Sequence, residues 1–257
     1  MIMQTISMRT KVAIIFFSLC LALVGCAGDK ALKKRQAKAK QDLGKTLLAQ
    51  GDFPSSLNEL LKAVELDPEN PEIHNELALT YREMGMYSQA ISHFTKATSL
   101  RPDFSEAYNN LGTVYLILEQ WDLAIKYFKS ALSNKLYKTP HFAYNNLGYA
   151  YYKKGEFRAA VESYLKAVQM QPSFSRAYHN LGVAYEAVNE QNKAIESYNS
   201  SIQYAPENPA SHFNLGKLYI EMDKTPLAIK ELQETIKLDK KNTLAPEARK
   251  LLQKYAK

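Results

Sequence analysis

Tyr108-Asn109-Asn110-Leu111-Gly112, Tyr144-Asn145-Asn146-Leu147-Gly148 and Tyr178-His179-Asn180-Leu181-Gly182 are three nearly identical pentapeptides in one chain of 257 residues. Their tyrosines stand 36 and 34 residues apart. Extending the likeness in both directions gives six units, 37–70, 71–104, 105–138, 141–174, 175–208 and 209–242. The units abut, except that Thr139 and Pro140 are inserted between the third and fourth. A fixed period in this range marks stacked supersecondary units, each unable to bury its apolar face alone.

Numbering each unit from 1 to 34 exposes the pattern. Position 8 is Gly44, Ala78, Gly112, Gly148, Gly182 and Gly216. Position 20 is Ser56 and then Ala90, Ala124, Ala160, Ala194 and Ala228. Position 24 is Leu60, Phe94, Phe128, Tyr164, Tyr198 and Leu232. Positions 4, 7, 8 and 11 share one face of a first helix, and 20, 24 and 27 share one face of a second. Small residues at 8 and 20 let the two helices approach, and large ones at 11 and 24 fill the space beside them. Gly51, Gly85 and Gly155 at position 15 permit the turn between helices. Proline at position 32 (Pro68, Pro102, Pro172, Pro206) stops the second helix.

The pattern resembles the tetratricopeptide repeat, whose period is 34. The resemblance covers 37–242 and implies an all-α, right-handed superhelical solenoid of six helix-turn-helix repeats. Ala248, Leu251, Leu252 and Tyr255 then predict an amphipathic capping helix within 243–257, because a terminal repeat needs a polar outer face.

The N-terminus carries a different signal. Arg9 and Lys11 precede an apolar run that ends in Leu23-Val24-Gly25-Cys26. A charged n-region, an apolar h-region and a small-residue cleavage site make a secretory leader. Val12–Gly25 is too short for a membrane span, which needs roughly 20 apolar residues. The last four residues resemble the lipobox of bacterial lipoproteins. That resemblance implies removal of 1–25 and a diacylglycerol and N-acyl chain on Cys26. The leader starts at Met1 or at Met8, since Met8-Arg9-Thr10-Lys11 is itself a compact n-region. Residues 26–36 read as the lipidated cysteine and a flexible basic tether.

Composition excludes much. Loss of the leader removes Arg9 and Lys11 and no acid, so the net charge falls from +7 to +5. Part of that excess lies in Lys30–Lys40, where it suits lipid headgroups better than nucleic acid. Cys20 leaves with the leader and Cys26 carries lipid, so the mature chain forms no disulfide. His74, His93, His141, His179 and His212 lack metal-ligand spacing. No nucleophile motif or phosphate cradle is present. The expectation is a non-enzyme with no metal, no cofactor and no small-molecule substrate.

What remains is a binding face. In tetratricopeptide arrays the first helices line the concave surface, with positions 2, 5, 6, 9, 12 and 13 pointing inward. Position 6 carries Asn110, Asn146, Asn180 and Asn214 in successive units, a ladder of amides able to pair with an extended backbone. The alternative is that these asparagines merely cap or solvate their helices. Leu79, Leu116, Phe142, Tyr149, Tyr152, Val183 and Phe213 make the same face unusually apolar, as partner sites are.

Asn134-Lys135-Leu136-Tyr137-Lys138-Thr139-Pro140 is similar to the junction between the third and fourth repeats of the type IV pilus biogenesis lipoproteins, the secretin pilotin family. Lys135 departs from that family, which usually has proline there. The resemblance implies an outer-membrane lipoprotein, facing the periplasm, that binds secretin subunits and promotes their localisation and multimerisation. Ala27 after the lipid cysteine is not an acidic retention residue, which agrees with outer-membrane sorting. An adaptor for peptidoglycan enzymes or another envelope machine is the alternative, because a fold does not specify function.

Overall fold

The computed structural model describes residues 8–255, with side chains from Asp29 onward. The predicted leader and the predicted lipidation site Cys26 fall outside the residues whose side chains are described. The described residues form thirteen α-helices and no strand, in two compact units, 1–102 and 103–257.

The first unit holds α1 (Met8–Gln50), α2 (Phe53–Leu66), α3 (Pro71–Glu83) and α4 (Tyr87–Leu100). Asn70 caps α3 by accepting from the backbone N–H groups of Glu72 and Ile73, with Pro71 at the first helical position. Ala37, Leu60, Ala63, Ile73 and Leu77 form its core. Residues 29–36 are not the irregular tether the sequence suggested: they are helical, as part of α1, and exposed. Lysine, alanine, leucine, arginine and glutamine are all strong helix formers. Their propensity sustains the helix where no apolar pattern does.

The second unit holds α5 (Ser105–Ile117), α6 (Trp121–Ser133), α7 (Pro140–Lys153), α8 (Phe157–Met170), α9 (Ser175–Ala187), α10 (Gln191–Tyr204), α11 (Pro209–Glu221), α12 (Thr225–Leu238) and α13 (Ala245–Tyr255). Tyr164 and Tyr198 are among its largest fully buried side chains. The reason lies in position 8. A Cβ on Gly148 would sit 2.7 Å from the Tyr164 ring, and one on Gly182 would sit 2.6 Å from the Tyr198 ring. The position-24 side chain therefore stacks directly on the glycine backbone.

All six inter-helix turns are the same. The position-16 N–H bonds the position-11 carbonyl at 2.8–3.0 Å in every unit, which is a Schellman closure. Such a closure puts position 15 in the left-handed region. Gly51, Gly85 and Gly155 take it at φ 82°, 73° and 83°, and Glu119, Asn189 and Asp223 take it at 57°, 60° and 56°. Only the glycine half of this set is visible in the sequence.

The insertion before α7 is structured. Asn134 donates to the Asp103 carbonyl at 2.9 Å and accepts from the Leu136 N–H. Tyr137 is buried against Ala131 and Ala143, and Leu136 is left 86% exposed. The capping helix forms as predicted. The Asp239 carboxylate accepts from the N–H groups of Leu244 and Ala245 at 2.6 and 2.8 Å, and these bonds hold its pKa below the usual range.

Candidate partner-binding face

In the second unit α5, α7, α9 and α11 lie side by side, each first helix touching the next. Their exposed face is the surface the sequence singled out. The asparagine ladder exists, but it is cross-linked. Asn146 donates to Asn109 Oδ1 of the preceding repeat at 3.2 Å, and Asn180 donates to Asn145 Oδ1 at 2.9 Å. Each of the two spends one N–H this way and keeps its second N–H and its carbonyl oxygen. Asn214 instead hydrogen-bonds the Tyr198 hydroxyl, which donates to Glu186. Asn110 is half-buried on α5.

Aromatic side chains flank these amides. Phe142 and Tyr149 are exposed, with Phe142 edge-on to Phe174 at 5.4 Å and the Lys153 ammonium 5.6 Å from the Tyr149 ring centre. Leu116, Tyr152 and Val183 are half-buried. Burial pushes the Tyr164 and Tyr198 hydroxyls up, so both remain protonated donors, with the Glu186 hydrogen bond as a further cause at Tyr198. Glu186 is itself raised by burial.

Two predicted residues do not join this face. Phe213 is core, not groove: it is 5% exposed and packs with Leu232 and Ala248 because α13 covers it. Leu79 belongs to the first unit, where it lines a concavity with Leu48, Phe53 and Arg82. Sequence reasoning missed Glu186, although a carboxylate at position 12 where neighbouring units carry Leu116, Tyr152 and Ile220 was a readable signal.

The histidines serve structure. His74 Nε2 meets the Pro68 carbonyl at 2.9 Å, and its Nδ1 meets His93 Nδ1 at 2.9 Å. A carbonyl only accepts, so neutral His74 carries its proton on Nε2 and His93 donates. Burial and then His74 lower the His93 pKa. His212 makes the same Nε2 bond to the Pro206 carbonyl, but its Nδ1 faces Glu231 at 2.7 Å, which raises its pKa. No group of three or more His, Cys, Asp or Glu residues able to hold a metal occurs among the described residues.

The fold and its open face define an all-α repeat scaffold for a protein partner. The chain belongs to the tetratricopeptide-repeat family: models described as TPR repeat match 44–85, 148–189 and 187–223, and models described as tetratricopeptide repeat match 70–136 and 209–242. No curated protein sequence matches the chain. Among solved structures it is similar to PilF of Pseudomonas aeruginosa (TM-score 0.75, 18% identity, 85% of this chain and 99% of that one). It is also similar to PilW, described as a widely conserved type IV pilus biogenesis factor (TM-score 0.75, 20% identity, 82% and 97%). MamA protein matches over 67% of this chain and 93% of its own, at TM-score 0.58 and 27% identity.

Proposed function

We propose that this chain is a lipid-anchored scaffold of the outer membrane that binds secretin subunits through the first-helix face of its second unit and promotes their multimerisation in type IV pilus biogenesis. The observation that carries the binding reading is the cross-linked ladder. Asn146 and Asn180 are held in fixed rotamers by their bonds to Asn109 and Asn145, and each still offers a donor and an acceptor. Preorganised amides beside exposed Phe142 and Tyr149 suit an extended segment with apolar side chains, its backbone paired by the amides. The pilus reading is supported by the Asn134–Pro140 junction and by likeness in fold to PilF and PilW over most of the chain.

Asn146→Ala with Asn180→Ala is the test, by calorimetry with the periplasmic part of the secretin. Two lost hydrogen bonds of about 0.5–1.5 kcal/mol each predict roughly a 5- to 150-fold loss of affinity. The variant should remain helical yet melt earlier, because it also loses two inter-repeat bonds. Unchanged affinity in the folded variant would overturn the site. Intact secretin multimers in a deletion strain would overturn the pilus role and leave another envelope partner. For the anchor, Cys26→Ser should abolish labelling by radioactive fatty acid.

A further inference from the structure

One side of α1 carries exposed leucines on which no other helix packs among the described residues. Leu32, Gln36, Ala39 and Leu43 are spaced 4, 3 and 4 residues apart, so they form one stripe along the helix. Leu32 is 54% and Leu43 47% exposed, whereas Ala37, Gln41 and Gly44 on the opposite side are buried. The stripe is about 16 Å long at 1.5 Å per residue. Arg35 stands at one edge and Lys33 and Lys40 at the other, with no acid between Lys30 and Gln41; Asp42, near the stripe's C-terminal end on the Arg35 side, is paired with Lys38 at 2.7 Å. Lys33 pairs with Asp29 at 3.4 Å and Lys40 with Glu59 at 2.7 Å, and Arg35 makes no ion pair among the described residues.

We propose that this stripe lies on an anionic lipid surface, with Leu32 and Leu43 dipping into the headgroup boundary and Arg35 and Lys33 meeting lipid phosphates. Apolar side chains on one helical face with cations at its edges are what interfacial helices carry. Long basic side chains can lay their stems along the boundary and keep their charges in the headgroups. The proposal rests on the anchor reading, which sets Cys26 six residues before Leu32, about 9 Å of helix. A basic helix face beside an acyl chain is a two-signal anchor, which holds far better than one signal alone. It also fixes which side of the first unit faces the membrane.

The test uses the full-length chain made in a host that processes lipoproteins, reconstituted into vesicles. Leu43→Cys carries an environment-sensitive fluorophore, and Ser99→Cys, exposed on α4, serves as control. In phosphatidylglycerol-containing vesicles the probe at 43 should brighten and shift to the blue while the probe at 99 stays in water. Lys33→Gln with Arg35→Gln should lower the docked-to-free ratio roughly 25-fold, at about fivefold per cation. A probe at 43 that stays wet in anionic vesicles would overturn the proposal. So would an equal response in pure phosphatidylcholine, or shielding that comes only when secretin is added. Mass spectrometry of the same preparation separates the two readings: a bare Cys26 removes the anchor, while the response at residue 43 still decides the stripe.

Discussion

On α3 of the first unit, position 6 is Glu76, half-buried and raised in pKa by that burial. On α5, α7, α9 and α11 of the second, the same position is Asn110, Asn146, Asn180 and Asn214. The contrast extends along both faces. The first unit carries charge there, much of it used internally: Lys38 pairs with Asp42 at 2.7 Å, Arg82 with Glu83 at 2.6 Å, and Glu72 with Arg101. The second carries amides and exposed rings. Beneath the faces the two are built alike, with the same Schellman turns and the same small residue at position 8 under the side chain at position 24. The shared positions are those that packing dictates. The divergent ones are free to be specialised, and the second unit places an asparagine at position 6 of four successive first helices, with exposed Phe142 and Tyr149 on the same helices.

The sharpest way to break that comparison is through position 8. Gly148→Leu drives a side chain into Tyr164, a ring only 2% exposed, and should cost about 3 kcal/mol or more. In the first unit Ala78 already stands at this position, fully buried as is Phe94 at position 24, so Ala78→Gly should cost only about 1 kcal/mol, mainly in backbone entropy. Urea unfolding reads both. Similar effects would mean that the two units do not share a packing rule.

The turns predict a smaller pair of effects, of opposite sign. Gly155→Ala forces a side chain into left-handed backbone and should destabilise by about 1–2 kcal/mol. Glu119→Gly, at the equivalent turn, should stabilise by about 0.5–1 kcal/mol, set by the balance of relieved strain and chain entropy. A stabilised Gly155→Ala would show that the position-15 conformation is not obligatory.

The smallest effect separates His93 of the first unit from His212 of the second. Proton resonance titrations should place His93 below the ordinary value of about 6.5 and His212 above it. The signs then differ. The depressed His93 contributes stability that is present above its unfolded pKa and lost as pH falls through the folded one. The raised His212 contributes stability that is full below its unfolded pKa and lost as pH rises through the folded one. His212→Gln should therefore remove a stabilisation that is full below about pH 6.5 and fades as the pH rises, read as a melting-temperature difference that is larger in acid than in alkali. A pH-independent difference would discard the His212–Glu231 ion pair.

The parts of this molecule that sequence reasoning reached are those where one residue type is imposed at a fixed spacing. Glycine or alanine at 8, small residues at 20 and large ones at 24 follow from helix-on-helix packing, and from them the all-α repeat array was legible. The turn was half legible, because Glu119, Asn189 and Asp223 adopt the left-handed region without the glycine that would announce it. The face was legible as a list of residues and not as a surface. The Asn109–Asn146 and Asn145–Asn180 bonds join residues 37 and 35 apart, and no local pattern encodes them. Phe213 was misjudged because its cover, α13, comes from outside the repeat that contains it. Residues 29–36 were misjudged because helix propensity acted without periodicity.

The asparagine bonds have a mechanical consequence. Both run from a later first helix back to an earlier one, α7 to α5 and α9 to α7. Sliding or spreading these helices loads the amides in shear, so the second unit has a stiff side. Under load, bending of that unit should concentrate on the second-helix side, and the spacing between the ladder's amides should be the last thing to give.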